Sequence, residues 1–207
     1  DCMLEMRTNR VGYIYLAVAV VMVVASGGLS VASMFIPYIQ KSFSLDAVTP
    51  IVVSSTISGI VSAALLTLMG SLFDRYGHRP LLAVSAICTF VSSNLVWAMS
   101  LQRSWGTARI LWYASAVVSG IGFAASMASL IPTLIKWNPN AAGLISATTT
   151  AAGYAAQIVW APIIPALIGA FGVFRAMQIQ MVAASIATFI GGVVVIKPPP
   201  QIRPEAF

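Results

Sequence analysis

Charged residues cut the chain into six long uncharged runs: Val11–Gln40, Ala47–Phe73, Pro80–Gln102, Ile110–Ile135, Trp137–Phe174 and Ala176–Ile196. An α-helix needs about 20 predominantly apolar residues to cross a hydrocarbon layer of ~30 Å, and every run meets that length. Asn138, Pro139 and Asn140 mark the start of the fifth span, and Pro165, Gly169 and Gly172 are expected to break its end. The predicted spans are Tyr13–Tyr38, Pro50–Leu72, Leu81–Met99, Ile110–Leu134, Ala141–Ile168 and Ala176–Val195. The links between them are short, so consecutive helices should be antiparallel neighbours. The expected fold is an all-α membrane protein with six transmembrane helices over residues 11–196 and a cytoplasmic tail at 1–10. Pro198, Pro199 and Pro200 stop the last helix, so 197–207 reads as the start of a cytoplasmic linker.

Composition supports the bilayer as solvent. The chain is 59% hydrophobic and 8% charged, with a mean hydropathy of +0.92, whereas soluble domains carry about 25% charged residues. A secretory signal has an apolar region of about 7–15 residues, shorter than the run after Arg10. The first residue is Asp1, so the chain is expected to begin inside a longer reading frame. Cys2 and Cys88 have neither metal-ligand spacing nor a disulfide framework. The formal charge of +6 is scattered between spans rather than clustered, which argues against nucleic acid. With the N-terminus inside, Arg7, Arg10, Arg75, Arg79, Lys136, Lys197 and Arg203 face the cytoplasm, and Lys41, Arg103, Arg109 and Arg175 face outward. That asymmetry favours cytoplasmic termini. The expected location is a plasma or bacterial inner membrane.

Between spans two and three lies the charged segment Gly70–Pro80. Gly70 is expected to let helices approach closely and Gly77 to permit the positive φ of a tight turn. Asp74, at the end of its helix, suits the N-terminus of another helix or a cation. The segment resembles the Gly-x-Leu-x-Asp-Arg-x-Gly-x-Arg loop of major facilitator superfamily transporters at Gly70, Leu72, Asp74, Arg75, Gly77 and Arg79. The resemblance implies that these residues form a conformational-switch loop. It also implies that the six spans are the N-terminal half of the family fold, a 3+3 inverted repeat completed by a second six-helix half. That half would lie in the same polypeptide or in a partner chain. His78 stands where many members carry Arg or Lys, and it reads as an exposed loop histidine. The Gly-x-Arg ending resembles the monocarboxylate transporter and oxalate:formate antiporter branch. Lys136-Trp137 with Gly143-Leu144, Ala151–Tyr154 with Ala161-Pro162, and Phe171-Gly172 with Arg175 are similar to that branch as well. Within the chain, Leu72, Tyr76-Gly77 and Arg79 are echoed by Leu167, Phe171-Gly172 and Arg175 with one residue inserted, which fits a repeat.

No Asp, Glu, Lys or His lies deep in a predicted span, where ionisable residues are the usual markers of ion coupling. Ser119–Ala125 resembles a superfamily signature of span four, with Ala116 where that signature carries Arg. Gly120, Gly122, Gly153 and Pro162 are read as helix-packing positions. Tyr154, Gln157 and Trp160 follow at i, i+3 and i+6 and are assigned to one broad helix face. In the superfamily, spans one, two, four and five line a central cavity. By that resemblance Tyr154 and Gln157 would bond a substrate carboxylate, Trp160 would form an apolar wall, and Ser119 and Ser30 would add hydroxyls. Helix–helix bonding within the bundle is the alternative for the same residues. Ser54-Ser55-Thr56 and Thr148-Thr149-Thr150 read as packing and back-bonding residues. The expected function is one half of a secondary active transporter for a small organic anion, a mono- or dicarboxylate, by alternating access. A neutral solute, or a non-transporting six-span scaffold acting as a homodimer, is the alternative. An embedded Ser–His protease or a His-Glu-x-x-His metalloprotease does not fit a single histidine in a charged loop. No enzymatic activity, metal or cofactor is expected, and the partners are the lipid bilayer, the solute and the second half.

Overall fold

The computed structural model describes residues 2–26, 33–45, 47–102 and 104–197. All the regular elements among them are helical. They are α1 (Cys2–Ser26), α2 (Ile36–Ser42), α3 (Thr49–Tyr76), α4 (His78–Met99), α5 (Trp105–Trp137), α6 (Ala142–Phe171) and α7 (Val173–Thr188). A π-helical segment, Phe189–Val195, continues α7. Single 3₁₀ turns at Ser33–Phe35 and Pro139–Ala141 precede α2 and α6. In hydrocarbon no water pairs with backbone amides, so a crossing segment must satisfy its own N–H and C=O groups as helix. Five helical stretches are long and apolar enough to cross: Ile51–Tyr76, His78–Met99, Trp105–Trp137, Pro139–Phe171 and Val173–Val195. Val11–Ser26 is a shorter apolar helix. The first expected span, Tyr13–Tyr38, is divided between α1 and α2, with residues 27–32 between them outside the described residues. Described residues of the expected 1–10 tail form the first turns of α1, which begins at Cys2.

Two expected breaks are absent. Pro165 and Gly169 do not end the fifth span; α6 runs through them and through Pro162 to Phe171. A proline removes one rung from the helical ladder, and neighbouring helices make that tolerable in a bilayer. The helix stops instead at Gly172, with φ 80 and ψ 167. The charged loop is likewise shorter than expected, because α3 extends to Tyr76 and α4 starts at His78. Only Gly77, with φ 78 and ψ −172, separates them. Both glycines occupy a backbone region that is essentially closed to residues with a Cβ. Each also caps its helix in the same way: Gly77 N–H donates to Phe73 O at 2.8 Å and Gly172 N–H to Ile168 O at 2.9 Å.

Contacts between distant residues define two ends of the bundle. At one end Tyr15 meets Trp137 edge-on with ring centroids 5.1 Å apart, and the Lys136 ammonium lies 4.6 Å from the centre of the Phe73 ring. The α3–α4 and α5–α6 junctions and the end of the π segment gather there. At the other end Phe43 packs against Trp105 and Phe174, and the Arg175 guanidinium sits 5.8 Å from the Trp97 ring centre. Consecutive long helices therefore run in opposite directions.

The core follows from small residues on α5. This helix packs along both α3 and α4, α7 packs along α4, and α1 packs along α6 and α7. A Cβ on Gly120 would fall 2.7 Å from the Ser58 carbonyl oxygen of α3, and one on Gly122 would fall 3.0 Å from Cys88 Cβ of α4. Nothing lies within 4 Å of the corresponding position at Gly70, so that glycine is not the close-approach residue expected of it. One apolar cluster, including Phe35, Ile39, Ile51, Trp112, Trp160 and Met177, fills the end near Phe43. A second, with Tyr15, Met22, Leu82, Leu134, Trp137 and Ile196, fills the end near the α5–α6 junction.

Gly120→Val should cost about 1–3 kcal/mol through overpacking against the α3 backbone. Gly70→Ala should be neutral or stabilise by up to about 1 kcal/mol, since it lies mid-helix beside open space. Thermal unfolding in detergent reads both, and equal melting temperatures for the two variants would contradict the tight α3–α5 contact. Gly77→Ala should lose about 1–3 kcal/mol because the new side chain cannot relax at that φ, ψ. An unchanged melting temperature for this variant would refute the junction geometry.

Candidate functional site

Between the two apolar clusters lies a cavity of about 390 Å³, within the range of small-molecule sites. Met22 and Ser26 of α1, Ser85 and Thr89 of α4, and Ser119 and Ser126 of α5 contribute to its wall. Thr149 and Tyr154 of α6, with Met177, Gln180 and Met181 of α7, complete much of the rest. Every described residue lining it is uncharged. The chemistry on offer is therefore hydroxyl and amide hydrogen bonding set into a polarisable thioether surface. Methionine adapts its shape to an irregular ligand more readily than branched residues do.

Several walls are fixed by side-chain donors that reach a backbone carbonyl. Gln180 is buried, and its Nε2 donates to Ser26 O at 2.8 Å, tying α7 to the end of α1. Trp160 Nε1–H donates to Val24 O at 2.9 Å, tying α6 to the same turn. Ser26 Oγ donates to Val23 O at 2.8 Å within that turn. Ser185 Oγ donates to Ala86 O at 2.7 Å and joins α7 to α4 behind the cavity. Thr149 Oγ1 bonds its own helix at Ile145 O, 2.8 Å away, as Ser54 Oγ does at Ile51 O, 2.7 Å away.

The residues singled out from the sequence are distributed unevenly. Ser119 and Tyr154 line the cavity, with Tyr154 at its rim and 70% exposed. Trp160 is buried in the apolar cluster near Phe43 and does not line it. Gln157, half-buried on α6 and engaged in contacts of its own, does not line it either. Tyr154, Gln157 and Trp160 span an arc of about 120° on α6, and across that arc the surface passes from the cavity rim at Tyr154 to the apolar cluster at Trp160. Ser30 lies outside the described residues. Gly153 sits 3.8 Å (from an ideal Cβ) from Val23 of α1, whereas Pro162 is exposed. α3 contributes no residue to this cavity, whereas α4 and α7 do. Gln180 was not anticipated. Its signal in the sequence is a glutamine within the uncharged run Ala176–Ile196, a neutral group that a count of ionisable residues does not mark.

In the segment Gly70–Arg79, Asp74, Arg75 and Arg79 are exposed, Leu72 is half-buried, and Gly70 faces open space. His78 differs from its expected exposed setting. It is buried at 5% exposure, and its Nε2 lies 3.0 Å from Ile196 O, to which it donates. The cause is the one-residue junction, which makes His78 the first residue of α4 and turns its ring toward the end of the π segment. Trp137 Nε1–H donates to the next carbonyl, Lys197 O, at 2.9 Å. Two ring donors thus hold consecutive carbonyls where the last helix ends.

Long apolar helices around an uncharged cavity, with cations confined to the helix ends, define a multi-pass integral membrane protein. The family profile described as Major Facilitator Superfamily matches residues 18–206. The chain belongs to that superfamily, whose members are membrane transporters rather than enzymes. Comparisons with curated proteins and with solved structures found no match.

Gln180→Leu keeps much of the side-chain volume but removes the donor to Ser26 O. It should destabilise the protein by about 1–3 kcal/mol, because a buried carbonyl loses its partner. The melting temperature of the variant in detergent checks this, and an unchanged value would mean that the α1–α7 tie carries no weight.

Proposed function

We propose that this chain is one six-helix half of a secondary active transporter that moves a small uncharged organic solute by alternating access. The observation that carries the reading is the cavity of about 390 Å³, enclosed by helices of a major facilitator chain and lined by uncharged residues throughout its described surface. α1 with α2 forms the first crossing in this reading. Gly12 lies beside Asn138 at one end of the bundle and Phe43 beside Trp105 at the other, which supports it. The equivalent glycine junctions at Gly77 and Gly172 support a 3+3 inverted repeat. The charge asymmetry supports a cytoplasmic N-terminus, in a plasma or bacterial inner membrane. A second six-helix half, in the same polypeptide or a partner chain, closes the site.

A mono- or dicarboxylate is the second reading. It takes its support from the resemblance of the charged segment to the monocarboxylate and oxalate:formate branch. An unpaired carboxylate is costly to bury, so this reading places the countercharge on the second half. The cavity favours the neutral solute. Gly70, Leu72, Asp74, Arg75, Gly77 and Arg79 act in this proposal as the switch loop, with exposed Asp74 and Arg79 meeting charges of the other half.

Full-length protein in liposomes should catalyse saturable uptake or counterflow of labelled neutral solutes. Uptake restricted to carboxylates would sink the neutral reading, and none across both panels would sink transport. Asp74→Asn should lower the turnover number at least several-fold while leaving expression and solute affinity near the unmodified values. Transport at the unmodified rate would remove the switch role.

A further inference from the structure

A second, smaller space opens beside the main cavity, where α3, α4 and α5 meet. It measures about 80 Å³ and shares Ser119, Met177 and Met181 with the main cavity. Its wall carries many hydroxyls: Ser54, Ser55, Ser58, Ser92, Ser115 and Ser119 all line it. Three of these hydroxyls are committed to helix carbonyls. Ser54 donates to Ile51 O at 2.7 Å, Ser92 to Ser115 O at 3.0 Å and Ser115 to Trp112 O at 2.8 Å. Ser58 differs. It is 3% exposed, and its Oγ has no hydrogen-bond partner among the described residues.

An unpartnered hydroxyl in a water-poor interior is unfavourable unless something completes it. None of the surrounding hydroxyls completes it, and the adjoining Ser58 carbonyl lies against Gly120 of α5, which brings the two helix backbones close at this level. About 10–15 Å³ of such space admits one water, so the chamber takes a group of several heavy atoms. Ala116 lines it, and no charged residue does among those described. A carboxylate or ammonium entering it would be desolvated without compensation, whereas a hydroxyl or amide end would find Ser58.

We propose that this chamber is a subsite for the uncharged, hydroxyl-bearing end of the solute, with Ser58 as its hydrogen-bonding residue. Met177 and Met181 mark the passage through which the apolar body remains in the main cavity. The proposal rests on the neutral-solute reading above and adds the chemical class of the end group.

The probe is 1,2-hexanediol, which joins a vicinal diol to a short apolar tail. Its affinity for the full-length protein in detergent is read by saturation-transfer NMR. Loss of one neutral hydrogen bond should weaken binding to Ser58→Ala roughly 2- to 12-fold. The unliganded variant should melt at or above the unmodified temperature, since no internal bond is removed. An affinity that does not change overturns the proposal, as does the absence of saturable binding to the unmodified protein. A lowered melting temperature with unchanged affinity would assign Ser58 to a permanently held water instead. Should Ser58→Ala fold poorly, Ser58→Cys in a Cys2→Ser, Cys88→Ser background offers an independent arm. Neutral methyl methanethiosulfonate should label it at least tenfold faster than an anionic sulfonatoethyl reagent, and hexanediol should slow the labelling; equal rates, or no protection, overturn the subsite. A Ser58-dependent affinity in a protein that transports nothing would leave the subsite standing and defeat the transporter reading. Normal transport with a Ser58-independent affinity would do the reverse.

Discussion

The structure depends on how hydrogen-bond donors are satisfied in an interior without charge. Helices absorb the backbone groups first. Some side-chain donors then reach a carbonyl on a neighbouring helix: Trp112 on Ile51, Trp160 on Val24, Ser92 on Ser115 and Ser185 on Ala86. Bonds of this type in membranes average only about 0.6 kcal/mol. They are too weak to hold the bundle against poor packing, so the close contacts at Gly120 and Gly122 must supply most of the cohesion between α5 and its neighbours. The hydrogen bonds instead fix helix register and rotation. A carbonyl acceptor also needs no charged partner, which keeps ionisable groups out of the interior.

The neutral interior shapes the cavity as well. Its walls are assembled from residues whose other task is bundle cohesion. Gln180 both joins α7 to α1 and faces the cavity. Such dual use confines strong polarity to a few points separated by methionine and phenylalanine surface. The charged groups lie at the two ends, where Lys136 covers Phe73 and Arg175 lies near Trp97. Each cation keeps its head near water while covering an aromatic ring.

Segments long enough to cross a membrane were legible because charge is rare and its spacing is regular. Their edges were less so. Proline and glycine were read with the rules of soluble helices, in which Pro165 and Gly169 signal a stop, yet α6 continues to Phe171. A bilayer removes water as the competitor that would otherwise fray such a helix, and α6 ends only where Gly172 takes φ 80. The cavity was legible in part. Ser119 and Tyr154 could be placed because they stand on helices facing the bundle axis. Trp160 could not, since a count of residue separations says that side chains are near in sequence without saying which side of the helix is core. His78 was misread because the turn around it was taken to be long. One residue of turn reverses that conclusion, as the next side chain is carried straight into the bundle.

The two glycine junctions carry the last step. Gly77 and Gly172 share the same backbone region and the same capping bond four residues back, and each follows an aromatic residue, Tyr76 or Phe171. They stand at opposite ends of the bundle, as Lys136 over Phe73 and Phe43 against Phe174 establish. The same local conformation is thus used twice, once at each end of the bundle. Glycine takes positive φ without steric cost, which suits it to end both helices, and the three antiparallel helices between the junctions put them at opposite ends. The surroundings of the two junctions differ. His78 after the first junction turns inward to Ile196 O, whereas Arg175, three residues after the second glycine, is exposed and bonds Gln178 Oε1 at 3.0 Å. The backbone geometry is thus the shared element, and the side chains beside it give each junction its own contacts.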